Sequence, residues 1–233
     1  MNLEGNFYIR RRSLNTSVFS FKYSIGVHVD DTEMLNFIQK TLGIGKVSTY
    51  GSMSNFEVYD LEGVKRIIEI FSKYTLNSTK LLNFLDFKKA FELYTSSKVK
   101  TPEMVEEIDN LKNGMNNKRT DFTMPVDFIP IITSYWLLGF VEGEGSFSIT
   151  KGYIFSFSIG QSSKDQLLME AIKAFLENLR VSGDNNNLES VNVVYIGNFS
   201  GYKNSQITRI VIGQTGYIRN VLIPFFWSDG MKK

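Results

Sequence analysis

Hydrophobic and polar positions follow one plan twice along this chain. Residues 6–12 alternate with a period of two, placing Phe7 and Ile9 on one face; residues 18–28 do the same with Phe19, Phe21, Tyr23 and Ile25. The period then lengthens. Met34, Leu35, Ile38 and Leu42 recur at helical spacing behind Asp30 or Asp31 as N-cap, and Gly43 and Gly45 end that helix. Residues 46–50 and 55–59 read as a hairpin around Gly51, followed by helices near 61–71 and 78–94. The second stretch repeats the order: strands over 146–151 and 153–160 turned near Gly152, a helix over 164–179, strands over 192–199 and 206–212, and a helix over 217–226 that Pro224 would cut short.

Each stretch thus reads strand-strand-helix-strand-strand-helix behind one apolar helix. The expected fold class is α+β: two pseudo-symmetric αββαββα repeats forming a saddle of two antiparallel four-stranded sheets, with helices on one face. The first repeat spans residues 1–95 and the second 131–233; residues 96–130 are a polar linker carrying a helix near 102–112. Phe7, Ile9, Phe19, Phe21, Phe155, Phe157 and Ile159 fall on the helix side. The opposite positions are polar or basic: Asn6, Tyr8, Arg10, Arg12, Ser20, Lys22, Ser24, Ser146, Ser148, Thr150, Ser156 and Ser158. Such a face meets either water or a ligand.

The segment at 136–147, WLLGFVEGEGSF, carries the densest signal. It is an apolar helical run with Gly139 and Gly143 four apart, Glu142 and Glu144 two apart, and then a switch to strand alternation. The start of the chain repeats its ending: Leu3-Glu4-Gly5-Asn6-Phe7 matches Gly143-Glu144-Gly145-Ser146-Phe147. Two copies of a carboxylate at a helix end suggest a two-fold, two-carboxylate site.

Composition narrows the chemistry. The chain has 233 residues, a formal charge of +2, no cysteine and a single histidine, His28. Disulfides, thiolate metal sites and cysteine nucleophiles are excluded, and a histidine-based zinc site or triad is disfavoured. The modest charge announces no polyanion partner, so any basic patch must be local. No run is long and apolar enough to span a membrane, and no N-terminal signal is visible. The wealth of Asn, Lys, Ile, Phe and Tyr is what an AT-rich coding sequence yields, and points to an organellar genome.

Residues 137–145, LLGFVEGEG, closely resemble the nine-residue signature of the LAGLIDADG homing endonucleases. Phe157-Ser158-Ile159-Gly160-Gln161 with Lys164-Asp165 and Leu167-Leu168 is similar to the family's second strand and following helix; His28 to Asp31 with Leu35 is similar in the first copy. Thr75 to Lys80, followed by Asn83-Phe84, resembles the stretch after the last repeat helix. The resemblance covers nearly the whole chain. It implies motif helices packed side by side through Gly139 and Gly143, sheets astride a long double-stranded DNA target, and Mg²⁺-dependent cleavage of both strands leaving short 3′ overhangs. It also implies intron encoding in the mitochondrion, with a chloroplast origin as the other option, and a monomer.

By this resemblance Glu4 and Glu144 are the metal-binding acids. A carboxylate at a helix C-terminus faces the negative end of the dipole, and DNA phosphates would repel it further; a divalent cation makes the arrangement sensible. Gln161 would position the attacking water, with Val27 as its counterpart in the first copy. Lys80 matches a basic residue near the scissile phosphate, and Lys232 is its candidate partner. The sheet faces would read DNA: Tyr8, Arg10, Arg12, Ser20, Lys22 and Ser24, then Lys46, Ser48, Tyr50, Asn55 and Glu57 in the first half; Ser146, Ser148, Thr150, Lys151, Ser156 and Ser158 in the second. Arg209 is a further candidate, in a strand whose register is ambiguous. Two departures stand out. Only residues 1–3 precede Glu4, where the family has a full motif helix, and the chain stops at Lys233, where the first copy continues through a helix. Both ends read as cropped, which leaves open a domain-swapped dimer. The alternatives to the nuclease are a maturase that binds intron RNA and a catalytically silent DNA-binding remnant.

Overall fold

The computed structural model describes residues 5–149, 152, 154–179, 193–200 and 206–229. Glu4, Thr150, Lys151 and Lys232 lie outside these. The chain divides into two compact units, Met1–Val126 and Asp127–Lys233.

The first unit runs β1 (Asn6–Arg11), β2 (Phe19–His28), α1 (Thr32–Leu42), β3 (Lys46–Tyr50), β4 (Met53–Val58), α2 (Leu61–Lys73), α3 (Lys80–Ser96) and α4 (Pro102–Gly114). Its four strands form an antiparallel sheet in the order β1-β2-β4-β3. The β3–β4 turn is tight because Gly51 takes a positive φ of 58°. Asp60 starts α2 by accepting the Gly63 N–H at 2.7 Å. Phe7, Ile9, Phe19, Phe21, Tyr23, Val27, Phe56 and Val58 are buried on the helix side of the sheet, as the alternation of the strands requires. Phe7 sits among Tyr23, Phe71, Phe84 and Phe87, so α2 and α3 cover it with rings.

The linker helix α4 is docked rather than free. Of the run Arg10-Arg11-Arg12, only Arg11 turns to the helix side, where its guanidinium pairs with Asp109 and its Nε donates to the Thr16 carbonyl at 2.7 Å. Partial burial works against the Asp109 charge, but Lys112 and Arg11 together hold its carboxyl below the ordinary range. After α4, Asn116 adopts a left-handed φ of 56° and donates from Nδ2 to the Phe7 carbonyl at 2.9 Å. Asn83 Oδ1 accepts the Asn116 N–H and Arg119 Nε, both at 3.0 Å.

The second unit runs α5 (Ser134–Glu144), β5 (Gly145–Ile149), β6 (Phe155–Ser162), α6 (Gln166–Asn178), β7 (Tyr195–Ser200) and β8 (Gln206–Ile212), then α7 (Thr215–Tyr217), a π-helical turn (Ile218–Leu222) and α8 (Ile223–Asp229). Its sheet order, β5-β6-β8-β7, is that of the first unit. The core gathers Leu137, Val141, Phe157, Ile159, Leu168, Ile172, Ile210, Ile212, Tyr217 and Leu222. Pro224 does not end the last helix. The turn before it widens, with the Ile223 N–H reaching back five residues to the Ile218 carbonyl, and this loosened backbone tolerates the ring. Phe155 has the helix-side parity expected of it but stays largely exposed at the end of the sheet.

Both units bury one hydroxyl at the same place. Ser54 bonds Thr49 at 2.8 Å and Thr32 at 2.5 Å, tying β4 to the edge strand and to the start of α1. Thr208 donates to Asn198 Oδ1 at 2.8 Å and lies 3.2 Å from Ser163 Oγ, tying β8 to β7 and to the turn before α6.

Burial also sets an alkaline limit. It raises the Tyr23 phenol well above the ordinary value, and it pushes Tyr217, whose hydroxyl donates to the Leu176 carbonyl, up to about 12 from 10. A raised acid pKa means that the unfolded chain loses the proton first. This stabilisation is complete below pH 10 and is lost as pH rises towards the folded value. The midpoint of thermal unfolding is expected to fall on titrating above that pH, and Tyr217→Phe to flatten the fall; an equally steep decline in the variant would refute the assignment.

Candidate functional site

Glu144 is the last residue of α5 and leads directly into the second sheet. Thr133 caps the other end of this helix, accepting the Trp136 N–H at 3.2 Å. Leu137 and Val141 anchor it in the core, and Trp136 stacks on Phe140 at 4.8 Å. The passage from helix to strand is sharp. A Cβ on Gly145 would lie 2.6 Å from the Val141 carbonyl, so only glycine lets the chain turn there. The turn delivers the Glu144 carboxylate into a shallow concavity of about 450 Å³ lined also by Ser146, Ser158, Gly160, Gln161, Ser162, Ile207 and Arg209. Gln161, next to the end of β6, brings a carboxamide to the same concavity. Its Oε1 accepts the Ser162 N–H at 3.2 Å.

Cross-strand register places Asn6 opposite Ser24 and Ser146 opposite Ser158, which makes Val27 the counterpart of Gln161. Val27 is 0 % exposed. The first unit therefore presents no carboxamide at this position. The adjacent His28 is instead paired with Asp30 at 3.1 Å.

The open face of the first sheet carries the residues expected on it. Tyr8 lies opposite Lys22, Arg10 opposite Ser20, Ser24 opposite Glu57, Lys46 opposite Glu57, Ser48 opposite Asn55 and Tyr50 opposite Met53. Arg12 follows just beyond β1 and is exposed. Two of these candidates are engaged with each other: Lys22 Nζ is 2.8 Å from the Glu57 carboxylate, and it lies over the Tyr8 ring at 5.9 Å. Lys46 lies over the Tyr59 ring at 5.8 Å. In the second unit Ser146 faces Ser158, and Ser148 faces Ser156 with their hydroxyls 2.7 Å apart. Lys80 is in the first turn of α3, in the first unit.

The register of β8 settles the ambiguity over Arg209. Thr208, Ile210 and Ile212 point into the core, so Ile207, Arg209 and Val211 are on the open face. Arg209 lies over the Phe199 ring at 5.5 Å. Tyr195 and Phe199 share that face on β7 and were not anticipated. Alternation in β8 could not reveal the face, because both sets of positions are mostly apolar; the decisive fact is that the Thr208 hydroxyl finds buried partners.

Similarity to known proteins agrees with this architecture. The sequence model of the LAGLIDADG endonuclease family matches residues 1–91. The solved structure of the LAGLIDADG homing endonuclease I-GzeII with its DNA target superposes with a TM-score of 0.77 at 22% identity, covering 96% of this chain and 79% of that one. The likeness to LAGLIDADG endonucleases thus lies in the sequence of the first 91 residues and in the fold of nearly the whole chain. The meganuclease I-CpaMI bound to uncleaved DNA is a second structural neighbour of this chain, with a TM-score of 0.75, 21% identity and 99% and 83% coverage. Among sequence relatives, the probable intron-encoded endonuclease Cox1-I1b of Schizosaccharomyces pombe is 28% identical over 188 residues, 77% of this chain and 48% of its own length. Probable intron-encoded endonuclease 3 of Neurospora crassa is 27% identical, covering 88% of this chain and 40% of its own length. The chain thus spans less than half the length of these curated relatives.

The donor set in the concavity is all oxygen: the Glu144 carboxylate, the Gln161 carbonyl and serine hydroxyls. That suits a hard divalent cation sharing phosphate oxygens. Among the described residues no three His, Cys, Asp or Glu side chains cluster to hold a metal on their own.

Proposed function

We propose that the chain is a sequence-specific double-strand DNA endonuclease of the homing type, encoded in a mitochondrial intron. The observation that carries this reading is the carboxylate of Glu144, delivered by a motif helix to one end of a polar sheet face and flanked there by Gln161 and Arg209. Glu144 and Glu4 would hold Mg²⁺, which when bound supplies an activated water and charge stabilisation for the leaving oxygen. Gln161 orients that water through its carboxamide. Lys80, with Lys232 as its partner, neutralises phosphate charge that grows in the transition state.

The open faces read the target. Beta-ribbons fit the major groove and present alternate side chains to base edges. Arg10, Arg12 and Lys22 are the principal readers in the first unit, helped by Lys46, Ser48 and Asn55. Serine hydroxyls at Ser146, Ser148, Ser156 and Ser158 serve in the second.

The test is cleavage of a partly randomised plasmid library by this chain with Mg²⁺. Cuts that leave short 3′ overhangs at one recurrent site are expected. A folded chain that cuts nothing but binds a cognate intron RNA would replace the nuclease with a splicing maturase.

A further inference from the structure

We propose that Arg209 clamps the phosphate of the strand attacked at the Glu144 site, and that this makes the enzyme cut its two strands in a fixed order. The inference rests on the nuclease reading above and deepens it.

The geometry comes from register. Gly145 pairs with Ile159, so Glu144 precedes that pair opposite Gly160; Gly160 pairs with Arg209, and Arg209 with Gly197. Glu144, Gly160, Arg209 and Gly197 therefore form one row across the sheet, on its open face. Strands lie about 4.8 Å apart, so the backbones of Glu144 and Arg209 are separated by roughly 10 Å. The residue between them has no side chain. Arg209 leans over this gap: its Nε is 3.6 Å from the place a Gly160 Cβ would occupy. Gly197, on the other side, has no side chain of its own, and the Tyr195 phenol lies over it, its hydroxyl 2.7 Å from the place a Cβ would occupy. Among the described residues Arg209 has no carboxylate partner; the Phe199 ring supports it. A carboxylate and a forked cation facing each other across a glycine, in one concavity, leave room for a phosphate with a cation on its carboxylate side.

The first unit fills the same row differently. Gly26 pairs with Asn55, and Asn55 with Ser48. Asn55 Oδ1 lies 2.9 Å from the place a Gly26 Cβ would occupy, so a neutral amide occupies the gap that Arg209 leans across in the second unit. With Val27 buried at the position of Gln161, the first unit lacks both the carboxamide and the cation. The two halves share a fold but offer unequal sites.

The experiment uses a supercoiled plasmid carrying the recovered target, and duplexes labelled on one strand or the other. The intact chain is expected to accumulate nicked circles, with the nick always in the same strand. Arg209→Ala should slow that strand by about 100-fold and erase the order. Arg209→Lys should restore part of the rate, since lysine supplies the charge without the fork. Asn55→Arg should speed the slower strand and shrink the nicked intermediate. Affinity for the target, measured with Ca²⁺ in place of Mg²⁺, should change far less than these rates in Arg209→Ala. Equal rates on both strands in the intact chain would overturn the inference and leave the nuclease standing. So would an Arg209→Ala variant that merely relaxes sequence preference, since Arg209 would then be a base reader. A chain that cuts no site at all overturns both.

Discussion

Glu144→Gln is expected to abolish double-strand cleavage, by about 1000-fold or more, while leaving the protein as stable as before or slightly more so. The two halves of this expectation have one cause. The carboxylate ends α5, where the unpaired carbonyls of the helix concentrate negative charge. Removing a negative charge there relieves roughly 0.3–1 kcal/mol of unfavourable interaction. Glutamine keeps the length and the oxygen, but not the charge that attracts a divalent cation. A residue retained for structure would behave in the opposite way, losing stability and keeping function. The measurement is plasmid linearisation beside a thermal unfolding curve on the same preparation. Full cleavage by the variant would sink the site assignment.

Phe7→Ala is expected to cost the first unit about 3–5 kcal/mol. Phe7 is 1 % exposed, and its ring lies 5.2 Å from Tyr23, 5.5 Å from Phe71 and Phe84, and 5.3 Å from Phe87. Truncation would remove a large buried ring from a site where four neighbours hold their own positions, so collapse around the hole is limited. Phe147 is the matching residue of the second unit. It is 54 % exposed and meets only Phe157 at 4.7 Å and Phe226 at 6.1 Å among the rings of the described residues. Phe147→Ala should therefore cost about a third as much. Denaturant unfolding of the two variants side by side tests the contrast; equal losses would mean that exposure does not measure support at these positions.

The sheets were legible in the sequence because each has one wet face. Phe7, Ile9, Phe19 and Phe21 alternate with Tyr8, Arg10, Ser20 and Lys22, and nothing but a half-buried strand demands that rhythm. The motif helix was legible because Gly145 and the change of period mark its end within a residue. Other features depend on contacts distant in sequence. The docking of α4 rests on Arg11 with Asp109 and on a left-handed Asn116, and no local pattern announces either. The last helix defeats a strict period because its π-turn shifts every following side chain by one position. The row from Glu144 to Arg209 is invisible until β5, β6 and β8 are in register, since its members are separated by 16 and then 49 residues of sequence.

The pairing of Lys22 with Glu57 has a consequence for how ionic strength acts on this surface. A cation already held by a carboxylate has few condensed counterions to displace from a polyanion, because its charge is neutralised before the two meet. The open face of the first sheet would then count Arg10, Arg12 and Lys46, rather than four cations, towards counterion release. Each phosphate neutralised contributes about 0.9 to the slope of log affinity against log salt. The slope measured for the intact chain should be shallower by about that amount than its basic residues suggest. Glu57→Gln, by freeing Lys22, should make binding both tighter at low salt and more easily lost as salt rises.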